Sequence, residues 1–196
     1  MAPKNTQKTG SAPARTQQAR TPITLELVIR LAPSLVQAEK IATAFGLEAI
    51  DFDAIREGTE EQIGLSAQVL QPTVNDTALR IHLQRIVGAF VSSAHGAAEF
   101  YGNKVTQARD LTSKLANDDR DEDREAVYGS ESKASRAREF AAQAGLTACA
   151  LLAAATGAVH AYHAITGDEW KPYQPATPSG TVSRQAAAAE LAAFAA

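Results

Sequence analysis

His160 and His163 lie three residues apart, so on a helix they share a face. His95 and Glu99, four apart, do the same. Two such pairs on facing helices would supply imidazole and carboxylate ligands for a metal ion. A ferritin-like di-metal centre demands Glu-x-x-His on each of two helices plus two further carboxylates. Neither histidine pair has that motif, and no acidic residue occurs between Gly145 and Ile165. Cys149 precedes His160 by about three helical turns, too far to share one site with it. The spacing therefore predicts half-buried or interfacial histidines, with no metal and no cofactor.

Nucleophilic chemistry finds no better footing. Cys149 sits among alanines and leucines in "LTACALLAAATG", where a thiol behaves as a small buried hydrophobe. It is the only cysteine, which excludes an intrachain disulfide framework. No G-x-S-x-G, Walker A loop or G-x-G-x-x-G occurs. Gly88, Gly96 and Gly102 fall inside a helical pattern, where glycine bends a helix or admits a close neighbour. Asp51 and Asp53 alternate around Phe52, as on an exposed strand edge or turn. The acidic run "NDDRDEDRE", 117–125, lacks the D-x-D-x-D-G spacing and distal Glu of a calcium loop and reads as a solvated connection. No catalytic residue emerges, and the expectation is a protein that is not an enzyme.

The elements that would position these residues are helical. In 77–116, Leu79, Leu83, Ile86, Phe90, Ala94, Ala97, Tyr101, Val105, Ala108, Leu111 and Leu115 recur at steps of three and four, the mark of an amphipathic helix. Asn75 or Asp76 is placed to cap it. From about Ser132 to Ile165 the pattern resumes, with Phe140, Ala144, Ala148, Leu151, Ala155, Val159 and Tyr162 as its stripe and Gly167 as its stop. Residues 145–165 carry no charge and are long enough to cross a membrane. Alanine, glycine and threonine gain little from lipid, however, so a buried core helix is expected and a membrane partner is not. The economical arrangement is a long antiparallel helical hairpin with shorter helices packed alongside. One of these is "APSLVQAEKIATAFG", with Pro33 at its start, Leu35, Ile41 and Phe45 on one face and Gly46 at its end. Another is "TEEQIGLSAQVLQP", opened by a Thr59–Gln62 capping box and closed by Pro72. In "ITLELVIRL", 23–31, the odd positions from Ile23 to Leu31 are apolar, a period of two that predicts an N-terminal β-strand, with a short helix as the alternative. The fold class expected is mainly α.

Three regions follow: a basic arm 1–22, a helical domain 23–166, and a Pro/aromatic arm with a short Ala-rich helix, 167–196. The 196-residue chain is 45% hydrophobic but only 6% aromatic, and its net charge of −3 points to no bulk nucleic-acid or membrane partner. Lys4, Lys8, Arg15 and Arg20 give the first arm four positive charges and no negative one. The arm has no apolar core of the kind a secretory leader carries, so the expected location is the cytoplasm or a virion. Trp170 and Tyr173 among Pro172, Pro175 and Pro178, with Leu191 and Phe194 beyond, read as interface anchors on an extended arm. The function expected is structural self-assembly through the arms, with copies of itself or other subunits as partners. By architectural analogy alone, the helical coat proteins of filamentous viruses and internal proteins of phage particles share this style. The alternative is a nucleic-acid-binding or regulatory module using the basic arm together with Arg80, Arg85 and Arg109. Arg80 and Arg85 lie about 140° apart on a helix and so form no single stripe.

Overall fold

Local hydrogen-bonding chemistry marks most helix boundaries. The computed structural model describes residues 22–118 and 124–172, with the side chains of 115–131 excepted. Its elements are α1 Leu25–Leu31, α2 Leu35–Phe45, α3 Phe52–Leu70, α4 Asp76–Asp118 and α5 Arg124–Thr166. The protein is mainly helical, with no strand among the described residues.

The segment expected as a strand is α1. Thr24 sits in extended backbone and its hydroxyl accepts from the Leu27 N–H at 3.2 Å, which nucleates a helix instead. Leu25, Val28 and Ile29 satisfy helical spacing as readily as the odd positions satisfy alternation. Here Val28 turns inward while Ile29 and Leu31 stay exposed. α2 opens with a reciprocal capping box: Ser34 Oγ accepts from the Gln37 N–H, and Gln37 Oε1 from the Ser34 N–H. Gly46 closes it at φ 61°, a left-handed cap that glycine adopts without strain. The inward face of α2 is Ala38 and Ala42, whereas Leu35 and Phe45 are exposed.

The boxed start at Thr59 is corrected. α3 begins seven residues earlier, where Asp51 Oδ1 accepts from the Ala54 N–H at 2.9 Å. Thr59 lies inside the helix and its hydroxyl donates to the Ile55 carbonyl at 2.8 Å. Asp51 is thus a cap and not a strand edge, and Phe52 between the two aspartates is buried. Asn75 caps α4 by accepting from the Ala78 N–H at 2.8 Å. The buried stripe of α4 follows Leu79, Leu83, Val87, Val91, Ala94 and Ala98, so beyond Leu83 it runs through Val87 and Val91, with Ile86 and Phe90 half-buried beside them. α5 starts before the expected Ser132. The acidic connection expected at 117–125 lies largely outside the described residues.

α4 and α5 run in opposite directions: Arg80 meets Asp168, Gln84 meets Lys171, and Thr112 meets Arg138. Each of the other four helices touches α5. One core joins Val28, Ile63, Leu83, Val87, Tyr162 and Trp170. A second joins Ala38, Ala42, Phe52, Leu146 and Cys149. The stretch Ser132–Thr166 is long and apolar enough to cross a membrane, and within it Ala148, Cys149, Ala155 and Ala158 are completely covered by neighbouring helices.

Close approach occurs at two glycines on α5. A Cβ at Gly157 would lie 2.3 Å from the Arg56 carbonyl oxygen, and one at Gly145 would lie 3.0 Å from Tyr101 Cε2. Gly88, Gly96 and Gly102 on α4 have open space instead. Gly157→Ala is expected to destabilise the protein by about 1–3 kcal/mol, because the obstacle is backbone and α3 must move away. Gly96→Ala is expected to stabilise it by up to about 1 kcal/mol through helix propensity. Urea unfolding of the two variants checks the opposite signs.

Candidate functional site

The packing of α3 against α5 assembles the most polar cluster. Arg56, Glu57 and Glu60 occupy neighbouring turns of α3, and Arg56 bridges Asp53 at 3.0 Å, Glu57 at 3.5 Å and Glu60 at 3.9 Å. Across the helix pair, His160 Nδ1–H donates to Glu60 Oε1 at 3.1 Å. One turn on, His163 Nδ1–H donates to the Asp168 carbonyl at 3.3 Å. His160 and His163 thus turn to separate partners. His95 stays on α4 with Glu99, 3.7 Å away. Among the described residues no group of three or more His, Cys, Asp or Glu is placed to hold a metal ion. The Glu60–His160 contact joins residues a hundred positions apart, and no local signal announces it. Its side chains face solvent, where such pairs contribute about 1 kcal/mol or less.

Cys149 is fully buried, and its thiol donates to the Pro33 carbonyl at 3.1 Å, tying the α1–α2 junction to α5. Burial pushes the thiol up to about 11, the reverse of what an attacking thiolate requires. Burial first, and the neighbouring Cys149 second, also hold the Tyr101 phenol above its ordinary range.

Beyond α5 the chain folds back on α4. Gly167 takes φ 72°, which reverses the direction. Arg80 then pairs with Asp168 and donates to the Thr166 carbonyl at 3.3 Å. Gln84 Nε2 donates to the Lys171 carbonyl at 3.2 Å, and Trp170 Nε1 donates to the Gln84 carbonyl at 3.4 Å. Trp170 is only 8% exposed and belongs to the main core. The reading of Trp170 as an anchor for a neighbouring subunit is therefore corrected: its indole fills a site on its own chain. Tyr173, Leu191 and Phe194 lie outside the described residues, as do Lys4, Lys8, Arg15 and Arg20. Arg80 is engaged in this clamp.

Concavity exists where α3 turns into α4. Leu70, Val74, Ala78, Ile81, His82 and Arg85 line an open groove of about 330 Å³. Its floor is apolar and its polar groups are the two basic side chains on α4. A catalytic pocket brings several polar groups to bear on one reacting atom, and this groove does not. Elsewhere the surface is marked by large exposed apolar side chains, among them Ile29, Leu31, Leu35 and Val36 around the α1–α2 corner and Leu65 and Val69 on α3.

No family model, curated protein or solved structure matches the chain.

The buried thiol yields a prediction with a defined sign. An unfolded thiol loses its proton near 9.0 and this one only near 11, so the folded state holds the proton longer as pH rises. Its contribution to stability is complete below about pH 9 and is lost as pH climbs through 9 to 11. Urea midpoints of the parent should fall through this window more than those of Cys149→Ala. A thiol reagent should leave native Cys149 unlabelled at neutral pH and label it fully in denaturant.

Proposed function

We propose that this chain is a non-enzymatic structural subunit that associates with copies of itself. The observation that carries the reading is the α1–α2 corner. Ile29, Leu31, Leu35 and Val36 are 54%, 40%, 50% and 60% exposed within eight consecutive residues. Scattered surface hydrophobes need no explanation, but four large ones exposed within so short a stretch support an interaction surface here. The antiparallel α4 and α5, taken as one long hairpin, provide the rod on which such surfaces are held. By architectural analogy alone, we assign the subunit to a viral or phage particle.

A second reading, nucleic-acid binding, has its own observation. Phe100 and Phe140 are both about half exposed, stand edge to face with centroids 6.2 Å apart, and carry the Lys104 ammonium over their rings at 5.0 and 5.2 Å. Exposed rings beside cations are what single-stranded nucleic acid uses for stacking and phosphate contact.

For the first reading, the parent chain should sediment as an oligomer. Leu35→Glu with Val36→Glu should reduce it toward the mass of one chain while circular dichroism stays unchanged. A parent that is monomeric at all accessible concentrations overturns it. For the second, Phe100→Ala with Phe140→Ala should weaken binding of a single-stranded oligonucleotide about tenfold or more. Equal binding by parent and variant removes these rings from the account.

A further inference from the structure

The flank of the α4–α5 pair around its two exposed rings has the chemistry of a path for an unpaired polyanionic strand. On α4, Phe100, Lys104, Gln107 and Leu111 follow at steps of four, three and four, so they line one face. On α5, Lys133, Arg136 and Phe140 do the same at steps of three and four. Lys104 joins the two faces, because its ammonium stands over both rings. It donates to Gln107 Oε1 at 3.3 Å and has further donors for a phosphate. Lys133 and Arg136 are exposed, and neither forms an ion pair among the described residues. Lys133 lies two helical turns, about 10 Å, along α5 from Phe140.

The nearby carboxylates are turned elsewhere. Glu99 and Glu139 directly precede the rings and so project about 100° round their helices from them. Glu99 faces His95 at 3.7 Å. Asp110 stands about 120° round α4 from Lys104. The flank therefore pairs cations with exposed rings. An acidic peptide would use the cations and leave the rings unmatched, whereas a strand with unpaired bases uses both, stacking on the rings and placing phosphates on the cations.

We infer that a single strand of nucleic acid runs along this flank, its bases stacked on Phe100 and Phe140 and its phosphates held by Lys104, Arg136 and Lys133. The inference rests on the nucleic-acid reading and gives it a path. It assigns the phosphate contacts to these cations and not to Arg80, which Asp168 engages, or to Arg109, which lies nine residues from Phe100 and so on the opposite side of α4.

The test titrates full-length chains with a labelled oligothymidylate over a range of salt, with circular dichroism confirming that each variant keeps its helices. Each phosphate neutralised on a single strand contributes about −0.7 to the log–log slope of affinity against salt. Lys133→Ala with Arg136→Ala should therefore flatten the slope by about 1.4, and Arg109→Ala should leave it unchanged. Phe100→Ala with Phe140→Ala should lower affinity about tenfold or more with the slope kept. An abasic strand of the same length should bind the parent as weakly as the thymidylate strand binds the ring variant. If the ring variant loses affinity while the Lys133 and Arg136 variant keeps the parent slope, the path is wrong and the nucleic-acid reading stands. If the abasic strand binds the parent as tightly as the thymidylate strand, stacking is wrong and the flank serves an acidic partner instead. A parent that binds no strand overturns both the path and the reading beneath it.

Discussion

Helix α5 approaches its neighbours almost backbone to backbone, and the other helices are arranged by that closeness. Gly157 faces the Arg56 carbonyl with no room for a methyl group, Gly145 lies against the Tyr101 ring, and the covered positions between them are Leu146, Ala148, Cys149, Ala154 and Ala155. Alanine loses no side-chain entropy on burial. It also removes little apolar area from water, so dispersion between tightly spaced atoms must supply much of the attraction. Helices that dock on such a surface present small faces of their own. α2 offers Ala38 and Ala42, and α3 offers Thr59 and Ala67 beside the larger Phe52 and Ile63.

An inward face of small residues pushes the larger ones outward. On α2 the sequence has Leu35, Val36 and Phe45, and on α3 it has Leu65 and Val69, all left exposed. In an ordinary amphipathic helix the large apolar groups seek the core. Here Leu35, Val36 and Phe45 of α2 stay outside, while Phe52 and Ile63 of α3 fill covered positions. The clamp beyond α5 works differently: Gly167 reverses the chain, and Arg80 and Gln84 anchor it, so that Trp170 joins Leu79, Leu83 and Tyr162 in the main core.

Features governed by neighbours in the chain were legible from the residues. Asn75 caps α4 as its type and position suggest, and Gly46 and Gly167 stop their helices with positive φ. The mainly helical class followed from the 3.6-residue stripes. Misreadings arose where two local rules competed. The apolar run at 23–31 fits both a strand and a helix, and the Thr24 cap decides between them. Thr59 and Asp51 both have capping chemistry, and burial of Phe52 favours the earlier start. The stripe of α4 passes through Val87 and Val91, at steps of four from Leu79 and Leu83, and leaves Ile86 and Phe90 half-buried on its flank. Trp170 looked like part of an arm because prolines follow it, while its partners stand 86 residues away on α4. A separation of a hundred residues likewise hides the Glu60–His160 contact, which no spacing rule encodes.

The path of the chain gives the molecule a direction. Ile23 packs on the core that holds Leu79, Tyr162 and Trp170, and the described chain ends two residues beyond Trp170, at Pro172. The first and last described residues, Pro22 and Pro172, are thus held next to residues of one core. α4 alone runs about 64 Å at 1.5 Å per residue. Loosening that one core frees the chain at both ends of its described length at once.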